Sequence, residues 1–267
     1  MNENYIELNR KLWNERVGHH VSSDFYKMDD FVKGNSSLND IELSLLGDVS
    51  GKKILHLQCH FGQDSLSLAR MGARVTGVDF SEKAIDKAKE LNDQLALNAK
   101  FLCCDIYELP VLLDEQFDIV FTSYGTIGWL PDMQRWALVV STFLANGGTF
   151  IIADFHPFVW MYDEKFSEIK YSYFNKGEIE EMENGTYTDR NAPIQLRSIG
   201  WNHNFAEVLQ SLVNQGLQLE VFTELDYSPY NVFQDMVEIT PARFQVKGME
   251  GKLPLVYALK MKKGSSI

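Results

Sequence analysis

Two hydrophobic periods divide this chain. Up to about residue 50 the apolar positions recur every three to four residues, which predicts helices. Tyr5, Leu8 and Leu12 share a face, with Trp13 beside them. Leu38, Ile41 and Leu45 predict a second helix over Leu38–Leu46, ended by Gly47. Between them lies an expected loop with His19, His20, Phe25, Tyr26 and Phe31. From Lys52 short apolar runs alternate with amphipathic stretches. Strands are expected at Ile54–Gln58, Arg74–Asp79, Phe101–Asp105, Phe117–Ser123 and Thr149–Asp154. A helix follows the turn at Phe61–Gly62, and Ser81 can cap the next, whose face carries Ala84, Ile85, Ala88, Leu91 and Leu95. Pro131 suits the first turn of a third, which Asn146-Gly147-Gly148 stops. Strands and helices in this alternation imply a parallel sheet covered on both faces.

The rhythm breaks at 155–200. Ile169, Tyr171 and Tyr173 lie two apart, and Asn184-Gly185 suits a tight hairpin turn. This segment is read as an inserted β-rich cap. A helix with Phe205, Val208, Leu209, Leu212 and Val213 on one face follows. Leu217–Thr223 and Leu255–Met261 read as strands six and seven, and the aromatic stretch between them as a pocket lining. The expected fold class is α/β. One domain over 1–267 has a Rossmann-like, seven-stranded, mostly parallel sheet with helices on both faces, an N-terminal helical cover (1–50) and the cap (155–200).

Charge narrows the partners. With 25 basic and 37 acidic residues the formal net charge is −12. That opposes a sequence-independent grip on nucleic acid or anionic lipid. Three cysteines, two of them adjacent, make no disulfide framework and no zinc spacing. The first sixteen residues lack an apolar core for a signal peptide, and no run approaches a membrane span. A cytoplasmic location is expected, with no metal. The sequence is silent on oligomeric state.

In such a sheet, ligands bind beyond the carboxyl ends of the strands. After strand one come Gln58, Cys59, His60, Phe61 and Gly62, where Gly62 can bring backbone close to a ligand. Strand two ends in Asp79, placed to accept ribose hydroxyls, and strand three in Asp105. The three glycines of a dinucleotide fingerprint are absent, so a nicotinamide oxidoreductase is set aside.

The segments 54–62, 75–81, Cys104-Asp105-Ile106, 117–120 and Gly147-Gly148-Thr149 resemble the class I S-adenosylmethionine-dependent methyltransferases. The Gln-Cys-His-Phe-Gly form resembles a bacterial subgroup. The resemblance implies strand order 3-2-1-4-5-7-6 with an antiparallel last strand, and S-adenosylmethionine as cofactor. It places Gln58, His60, Gly62, Asp79, Phe80, Asp105, Ile106 and Ser123 at the cofactor. The acidic residue and first two glycines of the family's opening motif are here His56, Gln58 and His60. His60 is either a cofactor contact or a structural hydrogen bond. A neutral His56 could still accept a hydrogen bond, whereas a protonated one would repel the methionine ammonium.

The implied function is methyl transfer to a small-molecule acceptor by in-line displacement. Candidates for a base, if the acceptor must lose a proton, are His156, Asp154 and Tyr124. Trp13, His19, His20 and Tyr26 could fold over the cofactor as an N-terminal lid, but core packing explains Trp13 equally well, and His19 and His20 read more simply as surface residues. Two alternatives stay open: a non-catalytic nucleoside- or protein-binding module on the same scaffold, and a methyltransferase acting on protein or RNA.

Overall fold

A computed structural model describes residues 5–264. The first four residues of the expected N-terminal cover and the last three of the chain lie outside the described residues. The helices are α1 (Tyr5–Val21), α2 (Met28–Val32), α3 (Asp40–Leu46), α4 (Gln63–Arg70), α5 (Glu82–Gln94), α6 (Leu109–Leu112), α7 (Met133–Phe143) and α8 (Phe205–Asn214). The strands are β1 (Lys53–Leu57), β2 (Arg74–Asp79), β3 (Lys100–Cys103), β4 (Phe117–Ser123), β5 (Leu144–Phe155), β6 (Ile179–Asn184), β7 (Gln195–Gly200), β8 (Leu217–Leu225), β9 (Met236–Thr240), β10 (Arg243–Val246) and β11 (Val256–Lys263).

The main sheet has the order β3-β2-β1-β4-β5-β11-β8. β1 to β5 run parallel, and β11 is antiparallel to both β5 and β8. This is the expected seven-stranded sheet and order. Alternation along the strands sends side chains to opposite faces. On one face Leu55, Leu57 and Val120 pack with Trp136, Val140 and Phe143 of α7 and Leu212 of α8. On the other, Ile54, Val75, Ile119 and Phe121 pack with Ile41 and Leu45 of α3. Because both faces are covered, the strands read as near-continuous apolar runs rather than alternating ones.

Local chemistry sets the helix starts. The Ser81 hydroxyl accepts from the Ala84 N–H at 3.2 Å. The Asp132 carboxylate accepts from the N–H groups of Gln134 and Arg135 at 2.9 and 3.0 Å. Asp132 is therefore the cap of α7, and Pro131 precedes the helix rather than occupying its first turn. Asn146-Gly147-Gly148 falls inside β5, which starts directly after α7.

Three further expectations change. The expected loop after residue 18 is partly helical: α1 runs through His19 and His20, and α2 holds Phe31. The alternation at Ile169, Tyr171 and Tyr173 yields only an isolated bridge from Ile169 to Tyr162. Asn184-Gly185 does not turn a tight hairpin, because Asn184 pairs with Gln195 and the loop between is long. β6 and β7 nevertheless form the two-stranded element of the cap, and β9 and β10 form a second, unpredicted hairpin.

Candidate functional site

The turn after β1 is tightly constrained. Gln58, His60 and Gly62 all have positive φ, at 54°, 51° and 80°. A left-handed conformation costs a non-glycine residue about 1–2 kcal/mol, so Gln58 and His60 adopt glycine-like backbone under strain. Hydrogen bonds hold it. The His60 N–H donates to Asp79 Oδ2 at 2.8 Å, and the Ser81 N–H donates to Asp79 Oδ1 at 2.9 Å. The Gln58 amide donates to the Thr126 carbonyl at 2.8 Å. Gly62 is required by packing: a Cβ there would come within 2.8–2.9 Å of the Phe101 ring and Ala88.

Asp79 is buried, and burial pushes its carboxyl up to about 6, against the backbone N–H groups that favour the charged form. A carboxylate has about four lone-pair sites, so acceptor capacity remains after these bonds. Beside this turn is a cavity of about 30 Å³. Gln58, Phe80, Asp105 and Ile106 wall it on one side, and Tyr5 and Asn9 of α1 close the other. The buried Gln58 Oε1 has no hydrogen-bond partner. An orphaned acceptor costs roughly 1–3 kcal/mol, so a donor from a ligand would be met favourably there.

A second polar group lies under α3 and α4. Glu42 is wholly buried, and its Oε1 accepts from the Asn39 N–H at 2.6 Å in a capping box. Its Oε2 accepts from the Tyr124 hydroxyl at 2.8 Å. Burial, and then the nearby Asp64 charge, push the Glu42 carboxyl up to about 7. Asp64 accepts from Ser37 Oγ at 2.6 Å and from Ser123 Oγ at 2.9 Å. Tyr124 sits at φ 39° and meets Tyr230 edge-on at 5.0 Å. His56 is buried and shares a 2.8 Å hydrogen bond with Ser65 Oγ. Burial lowers it to about 4, so the ring is neutral at pH 7.

The structure separates the other candidates. Asp154 accepts from the N–H groups of Gly125, Thr126 and Phe155 and from the Thr126 hydroxyl. It organises the turn after β4. His156 Nδ1 accepts from the Phe158 N–H at 3.1 Å, so Nε2 carries the proton and donates to Glu224 Oε1 at 2.8 Å. Its ring packs edge-on to Phe205 of α8 at 4.7 Å. His20 is not a surface residue: it is fully buried and shares a 2.8 Å hydrogen bond with His60. Trp13 meets both His60 and Trp129 edge-on, at 5.3 and 5.4 Å. Sequence reasoning missed Glu42, Asp64 and Thr126, whereas Tyr230 lies in the aromatic stretch read as a pocket lining. The Asn39-x-x-Glu42 spacing is a readable capping box. Asp64 carries no comparable signal.

Residues 54–148 match the family model described as a methyltransferase domain. Over 256 residues the chain is 25% identical to an uncharacterized protein of Haemophilus influenzae, covering 86% of this chain and 96% of that one. It is 38% identical over 131 residues to a ubiquinone biosynthesis O-methyltransferase of Coxiella burnetii, covering 48% of this chain and about half (55%) of that enzyme. A solved structure of DhpI in complex with SAH superposes with a TM-score of 0.58 at 17% identity, covering 100% of both chains. The fold is thus that of the S-adenosylmethionine-dependent methyltransferases. Residues 54–148 match a methyltransferase domain, and the fold is shared with solved S-adenosylmethionine-dependent methyltransferases.

Proposed function

We propose that this chain transfers a methyl group from S-adenosylmethionine to a small-molecule acceptor by in-line displacement. The observation that carries the reading is the juxtaposition of Asp79, Asp105, Phe80 and the unpartnered Gln58 Oε1 around the turn after β1. The residues fit the cofactor. The free lone pairs of Asp79 would accept the ribose hydroxyls, Phe80 would stack on the adenine, and Asp105 and Ile106 would meet its polar edge. Gln58 would offer its free oxygen, His60 a wall, and Gly62 its close-packed turn. The bound cofactor supplies an electrophilic methyl on a sulfonium.

The methionine end needs a different account from the family pattern. A neutral His56 supplies no charge, so Asp64, bonded to Ser123, is the group proposed to attract the ammonium. Among the three candidate bases, only Tyr124 is bonded to a buried carboxylate able to take a proton onward, and we assign it the acceptor side. Asp154 is assigned to positioning, because four donors occupy its oxygens, and His156 to bracing β5 against α8 and β8. The enzyme's main contribution would be alignment and exclusion of water. The aromatic side chains of the cap and of 224–252 support an enclosed small acceptor, and the acidic charge supports it over nucleic acid.

The test is incubation with methyl-labelled S-adenosylmethionine and separate panels of phenols, amines, thiols, protein and RNA. Label in a small molecule is the expected result. Label only in protein or RNA would overturn the acceptor class. Cofactor binding without label in any panel, cell extract included, would favour a binding module.

A further inference from the structure

The cavity at the turn after β1 has room for only a water or two. Pockets for ligands of nucleoside size are roughly 300–1,000 Å³. The wall that closes it is α1, through Tyr5 and Asn9. That helix is tied to the cap. The Asn9 side chain donates to the Ile199 carbonyl at 2.7 Å and accepts from the Ile199 N–H at 2.9 Å, as a neighbouring strand would. Arg16 pairs with Glu183 of β6 at 2.9 Å, and buried Leu12 packs on Ala192 and Ile194 of the hairpin loop. If α1 shifts, the β6–β7 hairpin shifts with it. Arg10 and Asn14 bond α1 to Phe80 and Ser81 beside the cofactor turn, and His20 ties both α1 and the hairpin to the turn itself. His20 Nδ1 is 2.8 Å from His60 Nε2, and His20 Nε2 is 2.9 Å from Thr186 Oγ1 in the hairpin loop.

We propose that α1 and the β6–β7 hairpin form one gate over the nucleoside pocket, and that His20 is the positioning residue that latches this gate to the cofactor turn. The proposal rests on the methyltransferase reading and goes beyond it by fixing an order. The gate admits the cofactor when the His20–His60 bond opens. Closure over the cofactor then reseats the hairpin with α1, so the cofactor enters first and the acceptor binds second. The latch works with neutral rings, in which one nitrogen of each pair donates and the other accepts. Burial and surrounding positive charge hold both histidines far below their ordinary range.

Two experiments on the full chain test this, both using S-adenosylhomocysteine as the probe. The first is stopped-flow tryptophan fluorescence, with Trp13 and Trp129 as reporters. The wild-type rate should saturate with probe concentration at the gate-opening rate. Loss of one buried hydrogen bond shifts such an opening about tenfold. His20→Ala should therefore raise association and dissociation together by about tenfold, with affinity changed far less. A simple packing defect would lower affinity instead. The second is hydrogen exchange. In the wild type the probe should protect both α1 and residues 179–200, although the hairpin does not line the cavity. In Asn9→Ala it should protect α1 alone. The proposal is overturned if the probe binds while wild-type hairpin exchange is unchanged, or if rates rise linearly in wild type and His20→Ala alike. Absence of any binding by the folded wild type would instead overturn the underlying reading, and the gate with it.

Discussion

Two buried acidic regions flank the turn after β1, and they are stabilised differently. Asp79 rests on backbone N–H groups that the fold holds in place. Glu42 and Asp64 rest largely on side-chain donors, the hydroxyls of Tyr124, Ser37 and Ser123 and the Asn39 amide, together with the Asn39 backbone N–H at the helix cap. Backbone donors are fixed once the strands pair, so the first region is preorganised to accept hydrogen bonds. Side-chain hydroxyls can rotate and re-partner, so the second can adjust to a proton or a cation. The proposed nucleoside end is thus built for one partner, and the α3–α4 side for a change of charge.

The largest expected effect tests the rigidity of the first region. Gly62→Ala combines a positive φ with a clash against Phe101 and Ala88. Strain and overpacking of this kind cost on the order of 4 kcal/mol together, measurable by urea denaturation. A loss below 1 kcal/mol would show that the turn yields and is not preorganised.

The next effect concerns the second region. Glu42 has a folded value of about 7, above its ordinary 4.5. Folding therefore favours the protonated form. The stability this confers is complete below pH 4.5 and is lost as pH rises through 7, on the order of 3 kcal/mol in all. Glu42→Gln should flatten that decline, read from denaturation midpoints between pH 4.5 and 8. An unchanged slope would erase the distinction between the two regions.

The smallest effect concerns Asp79, raised to about 6. Its ionised form is the better acceptor for hydroxyl donors. Affinity for S-adenosylhomocysteine should fall as pH drops through 6. Asp79→Asn should lower affinity at pH 7.5 by about 2 kcal/mol, roughly thirtyfold, and remove most of the pH dependence. Calorimetry at several pH values measures both.

The comparison also explains what was legible in the sequence. Asp79, Phe80, Asp105 and Ile106 sit at strand ends, and a strand end is readable where a short apolar run meets a polar residue. The sheet order followed from the family resemblance that those motifs carry. Glu42 and Asp64 sit on helices whose apolar faces explain most of their own residues, and their meeting depends on how α3 and α4 pack. Asp154 and His156 were readable as strand-end residues, but whether their polar atoms were free was not. That depends on the turn at 125–126 and on Glu224 of a distant strand. The buried His20 was hidden because α1 continues past the expected helix and meets a hairpin loop more than 160 residues away.

The most direct test of the central claim is calorimetric titration of the folded protein with S-adenosylhomocysteine, with Asp79→Ala beside it. The account predicts wild-type binding near micromolar, about −8 kcal/mol, and a loss of at least about tenfold in the variant. No binding by folded wild type, or equal binding by both, would contradict the claim that the strained Gln58–His60 turn and Asp79 together form the nucleoside site.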